Sequence, residues 1–218
     1  MIKKFNLDDI VDVVGAPIKK NTLSLGIDVA QIKTGMCLLR TDEKFLYIEG
    51  LYTLIAKKQK NTLHQMVDKY VHEAVQIREQ VEKDSGKQKQ TKILIIEDCW
   101  FGKSVWTTKI LAKFAVIVYL VFRKWATQAP DPVQPTTARR KVGFKQDTGE
   151  WHYQHLQDGT RRKVWDRKPE DTKEQIHDYL VDELGVEIDD QDLADGFVLA
   201  LSGLVDTVVE DDDVKGDS

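Results

Sequence analysis

Two cysteines in 218 residues, Cys37 and Cys99, are too few for a disulfide framework or a zinc cluster. Each falls inside or at the end of a strand-like run and reads as a reduced packing thiol. A membrane-length apolar stretch is also missing. The longest, residues 110–122, is interrupted by Lys113 and falls short of the roughly 20 residues a bilayer demands, so it reads as a buried helix. Asp8, Asp9 and Asp12 break up the N-terminal apolar residues, which leaves no uninterrupted core for a secretory signal and too much acid for an organellar transit peptide. The expectation is an intracellular protein that does not engage a membrane. No internal repeat is evident.

What is present is ordinary soluble composition, 41% hydrophobic and 31% charged residues. The length suits one full-sized core and is short for two enzyme domains. The formal net charge of −4 looks wrong for a protein that meets nucleic acid, but the signs are segregated along the chain. Residues 206–218 hold Asp206, Glu210, Asp211, Asp212, Asp213 and Asp217 against Lys215, a local −5 that leaves the rest of the chain at +1. This acidic tail, from about residue 209, is expected to hang free. Residues 139–168 carry nine basic side chains against Asp147, Glu150, Asp158 and Asp166, a local +5 that can face phosphates.

Three strand patterns in meander order occupy residues 22–29, 36–39 and 45–51. Residues 61–83 have a helical apolar period on a charged background. Residues 92–96 form a short β-branched run with Glu97 at its end, as expected of a buried parallel strand that delivers a carboxylate to the sheet's rim. A helix over about 105–125 is apolar on nearly every side and needs covering by the sheet and by a second protomer. A fifth short strand is expected at 127–130, with Pro130, Pro132 and Pro135 marking a loop beyond it. In residues 143–168, Asp158-Gly159 is a hairpin dipeptide between Trp151-His152-Tyr153 and Val164-Trp165, which indicates an inserted two-stranded arm over about 144–168. Helices follow over about 170–184 and 192–207. The expected architecture is α/β, a mixed five-stranded sheet covered by helices on both faces. It spans residues 22–208, after an N-terminal extension at 1–21.

Phosphodiester cleavage with two Mg²⁺ ions needs several carboxylates within about 4 Å of one another. Asp28 ends the first strand and Glu97 the parallel one, while Asp192 and Asp195 stand three apart on one face at the start of the last helix. Clustered like charges are costly without cations. Taken singly, Asp192 can simply cap its helix and Asp28 can sit in a turn. Taken together, their order favours a metal-binding catalytic set. Asp189 and Asp190 compete for the register, and the apolar run Phe197-Val198-Leu199 directly after Asp195 favours Asp192 with Asp195. His64, Asp68 and His72, at i, i+4 and i+8, mimic metal-ligand spacing but read better as an exposed helix face.

These stretches resemble the RuvC family of Holliday junction resolvases. The resemblance rests on Leu25-Gly26-Ile27-Asp28 with Thr34-Gly35, on Ile95-Ile96-Glu97, on Ala138-Arg139-Arg140-Lys141-Val142-Gly143 with Lys173-Glu174-Gln175-Ile176, and on the run from Asp192 to Leu201. It covers about residues 22–206, and Val29-Ala30 replaces the family's usual proline and glycine. The resemblance implies an RNase H-like fold, a two-fold homodimer and Mg²⁺-dependent symmetrical nicking of four-way or branched DNA, with Mn²⁺ able to substitute. It further implies that Asp28, Glu97, Asp192 and Asp195 hold two ions, that Lys173 assists near the phosphate, and that another basic family position falls at Arg139 or Arg140.

The family also places an aromatic at the position of Trp100, where it can stack on unpaired bases, a contact worth about 1 to 3 kcal/mol per base. Trp100 and the adjacent Phe101 can equally fill the core. Further DNA contacts are expected from Arg139, Arg140 and Lys141, and from Arg161, Arg162 and Lys163 on the arm, which the family pattern lacks at this size. The arm can also be a charged, solvated hairpin. Rival readings are an RNase H-like nuclease acting on RNA–DNA hybrid or other branched DNA, a non-catalytic junction binder, and an ATP-binding actin- or sugar-kinase-like protein. The last shares the Gly-Ile-Asp opening but would need more length and a second glycine-rich phosphate loop.

Overall fold

The computed structural model describes residues 3–30, 32–55, 63–86, 90–98, 105–145, 150–155, 161–166 and 172–206. The main sheet contains β1 (Lys3–Asn6), β2 (Thr22–Asp28), β3 (Lys33–Thr41), β4 (Phe45–Ile55), β5 (Thr91–Glu97) and β6 (Asp131–Val133) in the order β1-β4-β3-β2-β5-β6. Strands β2, β5 and β6 run parallel, and the remaining pairings are antiparallel. The sheet thus has six strands where five were expected.

The additional strand, β1, lies in the stretch set apart as an N-terminal extension. It pairs with β4 through Phe5↔Leu46 and leads into α1 (Leu7–Val14), which buries Leu7, Ile10 and Val14. The last strand starts later than the expected 127–130. Thr127 still bonds to Lys92, but the ladder forms at Ile95↔Asp131 and Glu97↔Val133. Pro132 is tolerated there because β6 is the sheet's edge. Pro135, read as part of a loop, instead opens α4 (Pro135–Lys141) at the first helical turn, where its missing N–H costs nothing.

Alternation along the strands assigns the two faces. Leu23, Leu25, Ile27, Met36 and Leu38 pack beneath α2 (Leu63–Asp84) and α3 (Val105–Phe122), with Tyr70 and Phe114 stacked at 4.1 Å. Cys37, Leu39, Ile93 and Ile95 face α1, α4, α5 (Thr172–Asp182) and α6 (Gln191–Leu204). Helix α6 is the centre of that layer, buried from Phe197 to Leu204. It stops at Leu204, short of 207, because Ile18 bridges Val205 and the Asp206 N–H donates to Pro17. The arm forms its own two-stranded sheet, β7 (Glu150–His155) with β8 (Arg161–Asp166).

Among the described residues no helix is long and apolar enough to cross a membrane. Cys37 is a buried free thiol whose ionisation burial pushes up, as suits packing; Cys99 lies outside the described residues.

Candidate active site

Asp28 has the same strand parity as Ser24 and Gly26, and Glu97 the same parity as Ile93 and Ile95, so both carboxylates fall on the α6 face. Because β2 and β5 are parallel neighbours ending together, Asp28 and Glu97 sit one step beyond the Ile27↔Ile96 pair. Their carboxyl groups are hydrogen-bonded to each other. Asp195 joins them in one pocket, which Pro135, Ala138, Arg139, Val198 and Leu199 complete.

Two glycines allow α6 to approach closely enough. A Cβ on Gly26 would lie 2.2 Å from the Ala200 nitrogen and the Gly196 carbonyl oxygen, and one on Gly35 would lie 2.0 Å from the Asp192 carbonyl oxygen. Both contacts are with backbone, which cannot rotate away. Thr34 steadies the turn after Asp28: its hydroxyl accepts from the Ala30 N–H at 3.3 Å and hydrogen-bonds Tyr70 at 2.9 Å. The contest among the aspartates is settled by capping. Asp190 is the N-cap of α6, accepting from the Asp192 and Leu193 N–H groups, which leaves Asp192 and Asp195 inside the helix.

Basic side chains offset this concentration of acid. Lys173, on α5, donates to Asp192 at 2.9 Å and lies 3.8 Å from Asp195. Burial works against its charge, but the bond to Asp192 and the nearby carboxylates outweigh burial and hold its pKa above the usual lysine value. Arg139, on α4, donates to Asp195 at 3.2 Å. Lys33, at the start of β3, pairs with Asp190 and stands 3.9 Å from Asp192. Sequence reasoning passed over Lys33, although its place just ahead of Thr34-Gly35, on the strand paired with Asp28, was a usable signal.

The carboxyls respond to their surroundings. Asp28 is raised well above the usual carboxylate range, first by burial and then by its bond to Glu97. Glu97 is also raised, by burial and by the charge of Asp195, against its bond to Asp28. Burial and the Asp28 charge raise Asp195 despite Arg139. Among the described residues no three acidic or histidine side chains already stand gathered as ion ligands. The carboxyls are tied up in pairs, to each other or to Lys173 and Arg139. The donor set nevertheless fits hard divalent cations: four carboxyls, three of them with pKa values raised by burial, a cost that a bound cation would offset.

No protein-family model matches the chain, and no curated protein matches it in sequence. Solved structures do. T. thermophilus RuvC in complex with Holliday junction substrate is similar at a TM-score of 0.54 and 11% identity, over 83% of this chain and 91% of that one. Another Thermus thermophilus RuvC structure gives 0.54 at 12% identity, over 83% and 92%. The chain has the RuvC fold. A looser likeness, TM-score 0.47 at 13% identity over 89% and 82%, is to the yeast mitochondrial Holliday junction resolvase Ydc2.

On this RuvC fold the expected DNA-contact residues part company. Arg139 turns to the acids, while Arg140 is exposed and Lys141 half-buried on the same helix. Arg139, Arg140, Thr136, Phe144 and Lys145 line a basic hollow, and Arg139 belongs to both that hollow and the acid pocket. Arg161, Arg162 and Lys163 lie on β8. Trp100 and Phe101 lie outside the described residues. His64 and Asp68 pair 3.5 Å apart on the exposed face of α2, while His72 bonds Gln76 at 3.0 Å.

Proposed function

We propose that this chain is a metal-dependent endonuclease that resolves four-way DNA junctions by paired nicks, acting inside the cell in recombination or branched-DNA processing. The observation that supports this reading most is the convergence of Asp28, Glu97 and Asp195 on one pocket, with Asp192 beside it on α6. These residues come from three elements distant in sequence, and burying acids together is costly unless cations compensate. The Thermus RuvC structure that contains a Holliday junction supplies the substrate class.

Asp28, Glu97, Asp192 and Asp195 would hold two Mg²⁺ ions, with Mn²⁺ able to substitute, and when bound these would supply an activated water and charge stabilisation at the scissile phosphate. Lys173, held positive by its carboxylate neighbours, is placed to transfer its hydrogen bond from Asp192 to a phosphate oxygen. Arg139 links the acid pocket to the hollow lined by Arg140 and Lys145, a route of positive charge for the strand on either side of the reacting phosphate. Lys33 and Asp190 act on position, pinning the first turn of α6 against β3 so that Asp192 is held in place. A homodimer through the outward apolar face of α3 would present two such sites to the two opposed strands of a junction.

The test is Asp195→Asn assayed on a labelled synthetic four-way junction. Mg²⁺-dependent nicking is expected to vanish while junction binding survives; unchanged nicking would remove these acids from the mechanism. Parallel assays on RNA–DNA hybrid, flap and duplex substrates establish which substrate the site prefers.

A further inference from the structure

The inserted arm is not part of the main sheet but forms a two-stranded sheet of its own. In chain order it stands between α4, whose Arg139 bonds Asp195, and α5, whose Lys173 bonds Asp192. The register of the hairpin is Glu150↔Asp166, Trp151↔Trp165, His152↔Val164, Tyr153↔Lys163, Gln154↔Arg162 and His155↔Arg161. Alternation divides these pairs between two faces. One face takes Trp151, Trp165, Tyr153, Lys163, His155 and Arg161. The other takes Glu150, Asp166, His152, Val164, Gln154 and Arg162.

The faces are chemically unequal. The first combines three large aromatics with a lysine and an arginine and holds no acid. The second opposes its single arginine with two carboxylates, so it is net negative. Aromatic surface interleaved with fixed positive charge is what a nucleic-acid backbone and its exposed bases require.

We propose that the Trp151–Trp165–Tyr153–Lys163–Arg161 face of the arm is a DNA-contacting surface, which grips the phosphates and exposed bases of the branched substrate, and that the Arg162 face is not. The assignment rests on the nuclease reading above and goes beyond it in separating neighbouring residues of one strand. Arg161 and Arg162 are the same residue type in adjacent positions, so general electrostatics treats them alike and the face assignment does not.

The experiment measures binding of the full chain, without divalent metal, to a fluorescent four-way junction across a salt series. Arg161→Ala, Lys163→Ala and Tyr153→Ala are expected to weaken binding about fivefold each, and each charge removal is expected to lower the salt slope by about one. Arg162→Ala and His152→Ala should stay within about twofold of the parent chain. Arg161→Gln, which keeps most of the side chain, controls for damage to the hairpin and should lose binding as Arg161→Ala does. Equal effects of Arg161→Ala and Arg162→Ala, or no effect of either, would overturn the assignment. If the parent chain nicks and binds junctions while these variants bind normally, only the arm assignment falls; if it binds no DNA, the nuclease reading falls with it.

Discussion

Arg139 donates to Asp195 across 3.2 Å, so a guanidinium occupies one side of a carboxylate already raised by burial and by Asp28. Both side chains are mostly buried, which makes the pair sensitive to the removal of either partner. The contact also means that a cation approaching Asp195 competes with Arg139.

Arg139→Met is therefore expected to split binding from turnover. With the competing charge gone, Mn²⁺ affinity measured by calorimetry should rise about tenfold, the equivalent of about 1.4 kcal/mol of repulsion removed. Junction nicking should fall, because the same guanidinium borders the basic hollow proposed to take the strand. Weaker Mn²⁺ binding in the variant would show instead that Arg139 organises the acids.

The upward shifts of Asp28, Glu97 and Asp195 make the metal-free protein pH-sensitive. Burial is the first cause of the rise at both carboxyls and at Asp195. A carboxyl with a higher pKa folded than unfolded binds more protons in the folded state. Stability is then fullest at low pH and falls as pH rises from the unfolded value, about 4, through the folded one. In chelator, the melting temperature is expected to drop as the pH rises above about 4, the direction that raised folded-state carboxyls impose. Asp28→Asn should flatten the drop, and saturating Mg²⁺ should restore stability to the parent chain. Parallel melting curves for parent and variant in chelator would exclude Asp28 as a source of the pH dependence.

Gly35 makes a separate prediction about how α6 is seated. A Cβ at this position would sit 2.0 Å from the Asp192 carbonyl oxygen and 2.3 Å from its carbon, so Gly35→Ala forces the first turn of α6 away from β3. The expected loss is about 3 kcal/mol in urea denaturation, the upper part of the usual overpacking range. Gly15→Ala is the contrast, since open space surrounds it and only its positive φ of 71° is strained; about 1 kcal/mol is expected there. Equal losses at the two glycines would mean that α6 adjusts freely.

Which parts of this arrangement the sequence made legible follows from how local their signals are. Asp28 and Glu97 could be placed because strand alternation and strand ends are short-range patterns, and Asp192 with Asp195 because helix faces repeat at three. Asp190 was the ambiguous member, and its capping bonds to Asp192 and Leu193 show why an aspartate at that position was bound to compete. Lys33 and Arg139 were harder. Lys33 meets Asp190 from 157 residues away, and Arg139 reaches Asp195 only because Pro135 starts a helix where prolines suggested a loop. The edge strand Lys3–Asn6 was hidden for a different reason: its burial pattern has no alternation, and its identity as a strand comes from pairing with β4.

The outward face of α3 supplies the last prediction. Val116, Tyr119 and Leu120 are 56%, 41% and 53% exposed on a helix whose other side packs Phe114, Val118 and Phe122 into the core. A cluster of that size on one helix is costly to leave in water and is the chain's candidate for self-association. Leu120→Glu adds a charge at the exposed position while leaving the buried stripe intact, so the fold should survive and a dimer should not. Light scattering is expected to report a dimer for the parent chain and a monomer for the variant. Because each protomer holds its own complete acid set, the variant should still nick one strand of a junction, but the two nicks should no longer be coupled in time. Coupled resolution by a monomeric variant would separate the paired chemistry from this surface altogether.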